Sequence, residues 1–118
     1  MFKKILLSII LIFINFSAFA GGISEIATVK SIGSGSFYNN ACGFNCVVVS
    51  VVPAPTGSTP CGYSNGWHVA IDLDSAEGST QVSTVLAAHA AGREISIAGD
   101  DVCTADFDIE RVRYIFTR

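Results

Sequence analysis

The sequence predicts a mainly β fold with one helix, in the order strand, strand, strand, helix, strand, strand, and three observations carry that reading. Runs such as residues 46–52 (CVVVSVV) and 66–73 (GWHVAIDL) are β-branched and alternate with a period of two. One segment, residues 79–91, changes to a period of 3.6, with Val82, Val85, Leu86 and His89 at i, i+3, i+4 and i+7. The chain has 118 residues, and setting aside an export leader of 20 leaves 98, room for a single small domain.

The leader is read from its three parts. Lys3 and Lys4 form a positive start, residues 5–16 form an apolar run broken only by Ser8 and Asn15, and Ala18-Phe19-Ala20 supplies the small residues that a signal peptidase reads. Cleavage is expected after Ala20, giving a signal peptide over 1–20 and one domain over 21–118. A membrane span needs about 20 apolar residues, and this run stops short of that. No cysteine follows the small residues and no Arg-Arg pair precedes them, so neither a lipid anchor nor the folded-protein export route is indicated. The expected location is secreted or periplasmic, with no membrane span after cleavage. Lys3 and Lys4 leave with the leader, so five Lys/Arg face ten Asp/Glu, a net charge of −5. An acidic surface argues against nucleic acid as a partner.

Residues 23–32 (ISEIATVKSI) read as a bent first strand reaching toward Tyr38, with Gly33-Ser34-Gly35-Ser36 permitting the bend. Residues 46–52 make the clearest strand, buried on most of both faces. Residues 53–60 (PAPTGSTP) cannot donate a regular ladder and read as a loop. In the third strand, residues 66–73, Trp67, Val69, Ile71 and Leu73 face inward while His68, Ala70 and Asp72 face water. Asp74 with Glu77 resembles a capping box for the helix, Ser79 is an equal candidate for its cap, and Gly92 supplies the left-handed stop. The fourth strand is 94–98 (EISIA), closed by a Gly99-Asp100-Asp101 turn. In the fifth, 109–117, Val112, Tyr114 and Phe116 face inward and Ile115 joins the wet side with Arg111 and Arg113. A five-stranded Greek-key barrel with its helix between the third and fourth strands is the OB-fold layout. A sandwich or an open meander with the helix on one face has the same element order.

All four cysteines lie after the leader, and an even count in a short exported chain points to two disulfides. Three connectivities exist. The preferred one joins Cys42 to Cys46, clamping residues 39–45, and Cys61 to Cys103. Loop entropy assigns about 2 kcal/mol to the short ring and about 4 kcal/mol to the long one. Zinc is the competing use, but His68 and His89 are far from the one close cysteine pair.

The chain resembles the B subunits of AB5-type toxins, in particular those of the subtilase cytotoxin kind. The resemblance is carried by Cys61, Gly66-Trp67-His68-Val69-Ala70-Ile71, the run from Val85 to Gly92, Arg93 to Ile97, Cys103, and Val112 to Phe116, about the last 60 residues. It implies an OB-fold chain that forms ring-shaped pentamers and binds host glycans. It transfers no sugar-contacting residue to a position here.

The candidate chemistry is sparse. His68 and His89 are the available imidazoles, one on a wet strand face and one on the helix stripe. Asp72 and Asp74 share a strand face as a carboxylate pair, which reads as a solvated edge leading into the helix cap. Asp100, Asp101, Asp106 and Asp108 form an acidic cluster whose spacing lacks the glycine and terminal glutamate of an EF-hand loop. No GxSxG turn occurs, and Gly33-Ser34-Gly35 precedes no helix that would cradle phosphate. No metal, cofactor or catalytic set is therefore assigned, and the chain is read as not an enzyme. Sugar recognition needs a ring face beside amides and hydroxyls, which Tyr38, Asn39 and Asn40 offer in one loop, and Tyr63, Ser64 and Asn65 in another. The expectation is an exported binding module for a glycan or another extracellular ligand, possible as a homo-oligomeric ring. The alternative is a periplasmic or secreted structural or inhibitor protein that presents an edge strand to a protein partner.

Overall fold

The computed structural model describes residues 24–55, 61–63, 65–104 and 106–118. The leader, its cleavage site and residues 56–60 of the proline-rich loop lie outside the described residues. The elements run β1 (Ser24–Ser34), α1 (Ser36–Cys42), β2 (Cys46–Val52), β3 (Val69–Asp72), α2 (Gly78–Ala91), β4 (Glu94–Cys103) and β5 (Glu110–Thr117). The five strands join in a ring of hydrogen bonds in the order β1-β2-β3-β5-β4, with β4 returning to β1. All pairings are antiparallel except β3 with β5, so the sheet is mixed. Five strands and the helix between β3 and β4 agree with the sequence reading.

The interior of the ring is aliphatic. Val47, Val49 and Val51 of β2 meet Val69 and Ile71 of β3, Ile95 and Ile97 of β4, and Val85 of α2. Each such side chain, fully buried, contributes about 1.5 to 3 kcal/mol. β2 also buries its other face, where Cys46 and Val48 join Ala70 and Ile109 in a second cluster outside the ring.

That second cluster corrects the prediction of a single helix. The chain does not remain extended to Tyr38 but turns at Gly35 (φ 114°), forms α1, and ends it at Gly43 in the left-handed region (φ 81°). Ala41 and Cys42 are the buried residues of α1, with Tyr38 half-buried one turn earlier, so the short helix has an apolar face laid over the outside of the sheet. The tight approach requires Gly33, because a Cβ there would stand 2.8 Å from the Tyr38 ring and 2.9 Å from Val48. β1 bends at a register shift between Val29 and Ser31.

The covering of the outer face also corrects the third strand. His68 and Ala70 are buried, not wet, and Leu73 is exposed. Regular pairing begins only at Val69, and Trp67 packs in the outer cluster instead of the inward stripe. On α2 the buried residues are Gly78, Gln81, Val85 and Ala88, which turns Leu86 and His89 outward. A Cβ on Gly78 would meet the Asp72 carbonyl at 2.2 Å, so the first residue of the helix lies directly against the end of β3. Its N-cap is Glu77, with no side-chain cap bond, in place of Asp74 or Ser79; the Gly92 stop is as expected.

Two irregularities explain the remaining corrections. Gly99-Asp100-Asp101 does not end β4; the strand bulges there and resumes pairing at Cys103 with Glu110. The turn chemistry is present, since Asp101 has φ 70° and Val102 donates its backbone N–H to the Asp100 carboxylate at 3.0 Å, but it shapes a bulge. The fully buried Glu110 carboxylate accepts the Asp101 N–H at 2.9 Å across it. In β5, Val112 pairs with Gly99 and Tyr114 with Ala98, leaving Arg113 as the extra residue. The face therefore switches: Val112 and Ile115 turn to the core, while Tyr114 and Phe116 stack on each other at 6.3 Å in the open.

Both disulfides join the pairs that the sequence favoured, Cys42 to Cys46 and Cys61 to Cys103. Among the described residues no helix is long and apolar enough to cross a membrane.

Candidate ligand-binding site

The site lies where α1 meets the open end of the β2–β3 hairpin. Antiparallel register pairs Cys46 with Asp72, so Asn45 and Leu73 stand opposite each other and the Leu73 N–H reaches the Asn45 carbonyl at 2.8 Å. Asn39 closes the third side: its side-chain oxygen accepts the Cys46 N–H at 3.0 Å, docking α1 on the first residue of β2. The Cys42–Cys46 bridge fixes the same approach covalently.

These contacts leave a shallow groove of about 410 Å³ lined by Asn39, Asn40, Gly43, Phe44, Asn45 and Asp74. Its polar groups form a connected row. Asn39 donates to the Asn45 side-chain oxygen at 3.4 Å, and Asn45 donates to the Asp74 carboxylate at 2.9 Å. Asp74 is itself held, because its backbone N–H donates to the Asp72 carboxylate at 2.8 Å. Three amides, one carboxylate and one phenyl ring thus face a common space, on a framework pinned by a disulfide and a strand ladder. Such a set donates and accepts hydrogen bonds and offers an apolar surface.

Asn39 and Asn40 are the predicted residues that the structure brings into this groove. Tyr38 points the other way, beneath α1, with its ring edge-to-face on Trp67 at 5.4 Å and near Phe107 at 6.3 Å. Tyr63 donates its backbone N–H to the Asp108 carbonyl at 2.9 Å and sets its ring edge-to-face against His68 at 5.3 Å. Neither Tyr63 nor the exposed Asn65 lines the groove, and Ser64 lies outside the described residues. Sequence reasoning missed Phe44, Asn45 and Asp74. A hairpin register drawn from the alternation of β2 and β3 would have brought Asn45 and Asp74 together.

The other candidates are engaged structurally. His68 Nδ1 accepts the Val51 N–H at 2.9 Å, so the imidazole stands in for a ladder carbonyl just where β3 becomes irregular. Burial pushes its pKa below the ordinary value of 6.5, and the Lys30 charge adds to the effect. His89 Nδ1 meets the Val29 carbonyl at 3.1 Å and donates there. Arg111 Nε donates to the Asp100 carboxylate, and the same guanidinium stands 3.9 Å from the Asp72 carboxylate. Asp108 accepts the Gly62 N–H at 2.8 Å. Asp100 and Asp108 of the acidic cluster are thus engaged with separate partners. Among the described residues, Cys61, Cys103 and Asp108 bring ligand-type atoms within 4.8 Å of one another, with the two sulfurs joined in the disulfide.

No protein-family model, no characterised protein and no solved structure matches the chain.

Proposed function

We propose that this chain is an exported, non-enzymatic OB-fold binding module that holds a glycan in the groove between α1 and the β2–β3 hairpin. The observation that carries the proposal is the connected row Asn39–Asn45–Asp74 beside Phe44. A sugar ring presents hydroxyls at its rim and C–H groups on its face. The amides and the carboxylate take the rim, and the phenyl ring takes the face. Because the row is already hydrogen-bonded, little side-chain freedom remains to be lost on binding.

The strand order and the position of α2 support the OB-fold reading. In that fold the connection between the first two strands contributes to oligosaccharide binding, and here α1 occupies that connection. Two disulfides suit an oxidising destination outside the cytoplasm. The resemblance to AB5 toxin B subunits adds a homo-oligomeric ring to the proposal.

A glycan array followed by calorimetric titration of the best binder tests the site. Asn40→Ala and Asp74→Ala are expected to weaken binding by about tenfold each, a loss of about 1.4 kcal/mol, whereas Asn65→Ala leaves it unchanged. Absence of any binder at high protein concentration would remove the glycan reading, and a monomeric mass in light scattering would remove the ring.

A further inference from the structure

The ring of strands closes unevenly. β3 meets β5 only through Val69 with Glu110 and Ala70 with Arg111. β5 then runs on to Thr117, and in that stretch β4 is its strand partner. Successive residues of a strand point their N–H and C=O groups to opposite sides. Arg118 donates its N–H to the Glu94 carbonyl at the end of β4 at 3.0 Å, and the Arg113 carbonyl, facing the other way, accepts the Gln81 side-chain amide of α2 at 3.3 Å. Both observations put the backbone groups of Ile115 and Thr117 on the side away from β4. Among the described residues no strand pairs with that side of β5 beyond Arg111. Between this edge and α2 runs a groove of about 380 Å³, lined by Ala76, Glu77, Thr80 and Thr84 on one wall and Tyr114 and Ile115 on the other, with Gln81 bridging its end.

We propose that this groove receives an extended peptide segment of a partner protein, which adds as a strand to the open edge of β5 and runs alongside α2. The backbone chooses the occupant. Two residues in line, each offering one donor and one acceptor about 7 Å apart, match the repeat of another extended chain. The volume accommodates about three residues, near the lower limit for a binding cleft. The exposed Tyr114 ring supplies an apolar wall for one partner side chain, and Glu77 is the charged lining residue, so the segment carries a lysine or arginine at that end. The site shares no residue with the glycan groove and stands independently of it.

The test is selection from a displayed random-peptide library against the disulfide-intact protein, with Thr80→Trp protein for counter-selection. Thr80 is an exposed position on α2 whose enlargement fills the groove from outside. Thr117→Pro removes one free donor at an exposed site while keeping the bonds to β4. The selected peptide is expected to bind both variants about tenfold more weakly than wild type, and to lose affinity equally when its alternate amides are N-methylated. It should slow amide exchange at Ile115 and Thr117 and bind Asn40→Ala protein normally. If Thr117→Pro fails to fold, the Thr80→Trp and N-methyl comparisons decide alone. A selection that yields no peptide separating wild type from Thr80→Trp, or peptides that leave exchange at Ile115 and Thr117 unchanged, overturns the proposal.

Discussion

The β2–β3 hairpin has packed apolar residues on both faces, and the two packings are made of different materials. Inside the ring, Val47, Val49, Val69 and Ile71 meet aliphatic side chains from β1, β4, β5 and α2. Outside it, Cys46, Val48 and Ala70 lie under a cover of rings: Tyr38, Phe44, Trp67 and Phe107. The inner packing is contributed by elements that already hold one another through hydrogen-bonded pairing. The outer cover comes from a helix of seven residues, the turn before β3 that carries Tyr63 and Trp67, and the connection from β4 to β5 that carries Phe107. Such short segments cannot bury enough surface to order themselves. All four cysteines serve this outer side: Cys42 and Cys46 within the cluster, Cys61 and Cys103 tying the turn to the end of β4. Cross-links are placed where burial alone is thin.

If that contrast is right, damage inside the ring unfolds everything together. Ile71→Ala is expected to destabilise the protein by about 4 kcal/mol, since Ile71 is fully buried and the ring around it cannot collapse into the space. The single tryptophan, Trp67, reports the outer cluster, while far-UV circular dichroism reports the strands and α2. In denaturant titrations of this variant the two signals should move together to lower midpoints. A tryptophan transition left at the wild-type midpoint would show the outer cover to be the more independent part.

Removing a cross-link should separate what core damage does not. Cys42→Ser with Cys46→Ser is expected to lower stability by about 2 kcal/mol on the loop-entropy account and to loosen α1 first. Trp67 fluorescence should then change before the far-UV signal, and amides of Asn39 and Cys46 should exchange faster than those of Val49. Coincident transitions would sink the claim that the outer cover depends on its bridges. The same variant should weaken the proposed glycan binding, because Asn39 and Asn45 lose the fixed approach between α1 and β2.

The two packings also differ in how much of them can be read from sequence. The inner one shows as alternation: Val47, Val49 and Val51 in β2, Val69 and Ile71 in β3, Ile95 and Ile97 in β4 all fall where a period of two puts them. The exceptions are positions where the period is broken by an added residue. Arg113 reverses the faces of Tyr114, Ile115 and Phe116, and no propensity announces a bulge of that kind. The outer packing is nearly invisible, because its parts make sense only against each other. Tyr38, Ala41 and Cys42 do stand at i, i+3 and i+4 between Gly35 and Gly43, a short helical signal that seven residues could not carry against the β-rich surroundings. His68 and Ala70 read as wet because nothing in the strand itself says that Tyr63 will pack against the one and the cluster around Cys42 and Cys46 over the other. The candidate site divides in the same way: Asn39 and Asn40 stand out as loop amides, whereas Asp74 becomes a site residue only through the hairpin register that sets it beside Asn45.

The smallest expected effect lies at the seam between the two packings, where His68 accepts the Val51 N–H with Tyr63 against its ring. The acceptor role requires the neutral imidazole, and burial followed by the Lys30 charge holds its pKa below the ordinary 6.5. Above that value His68 is neutral in both the folded and unfolded states and its titration has no effect on stability. As pH falls through it, the unfolded chain takes up the proton first, so stability declines, and the decline stops once folded His68 is protonated as well. Chemical denaturation at a series of pH values from about 7 to 5 should show this loss on top of whatever the carboxylates contribute. His68→Gln keeps a side-chain oxygen that can accept the Val51 N–H and does not titrate, so its stability should vary less over the same range. Parallel pH profiles for the two proteins would mean that His68 is only a filler between the two clusters. A steeper wild-type profile makes it a contact by which acid loosens the outer cover from the ring.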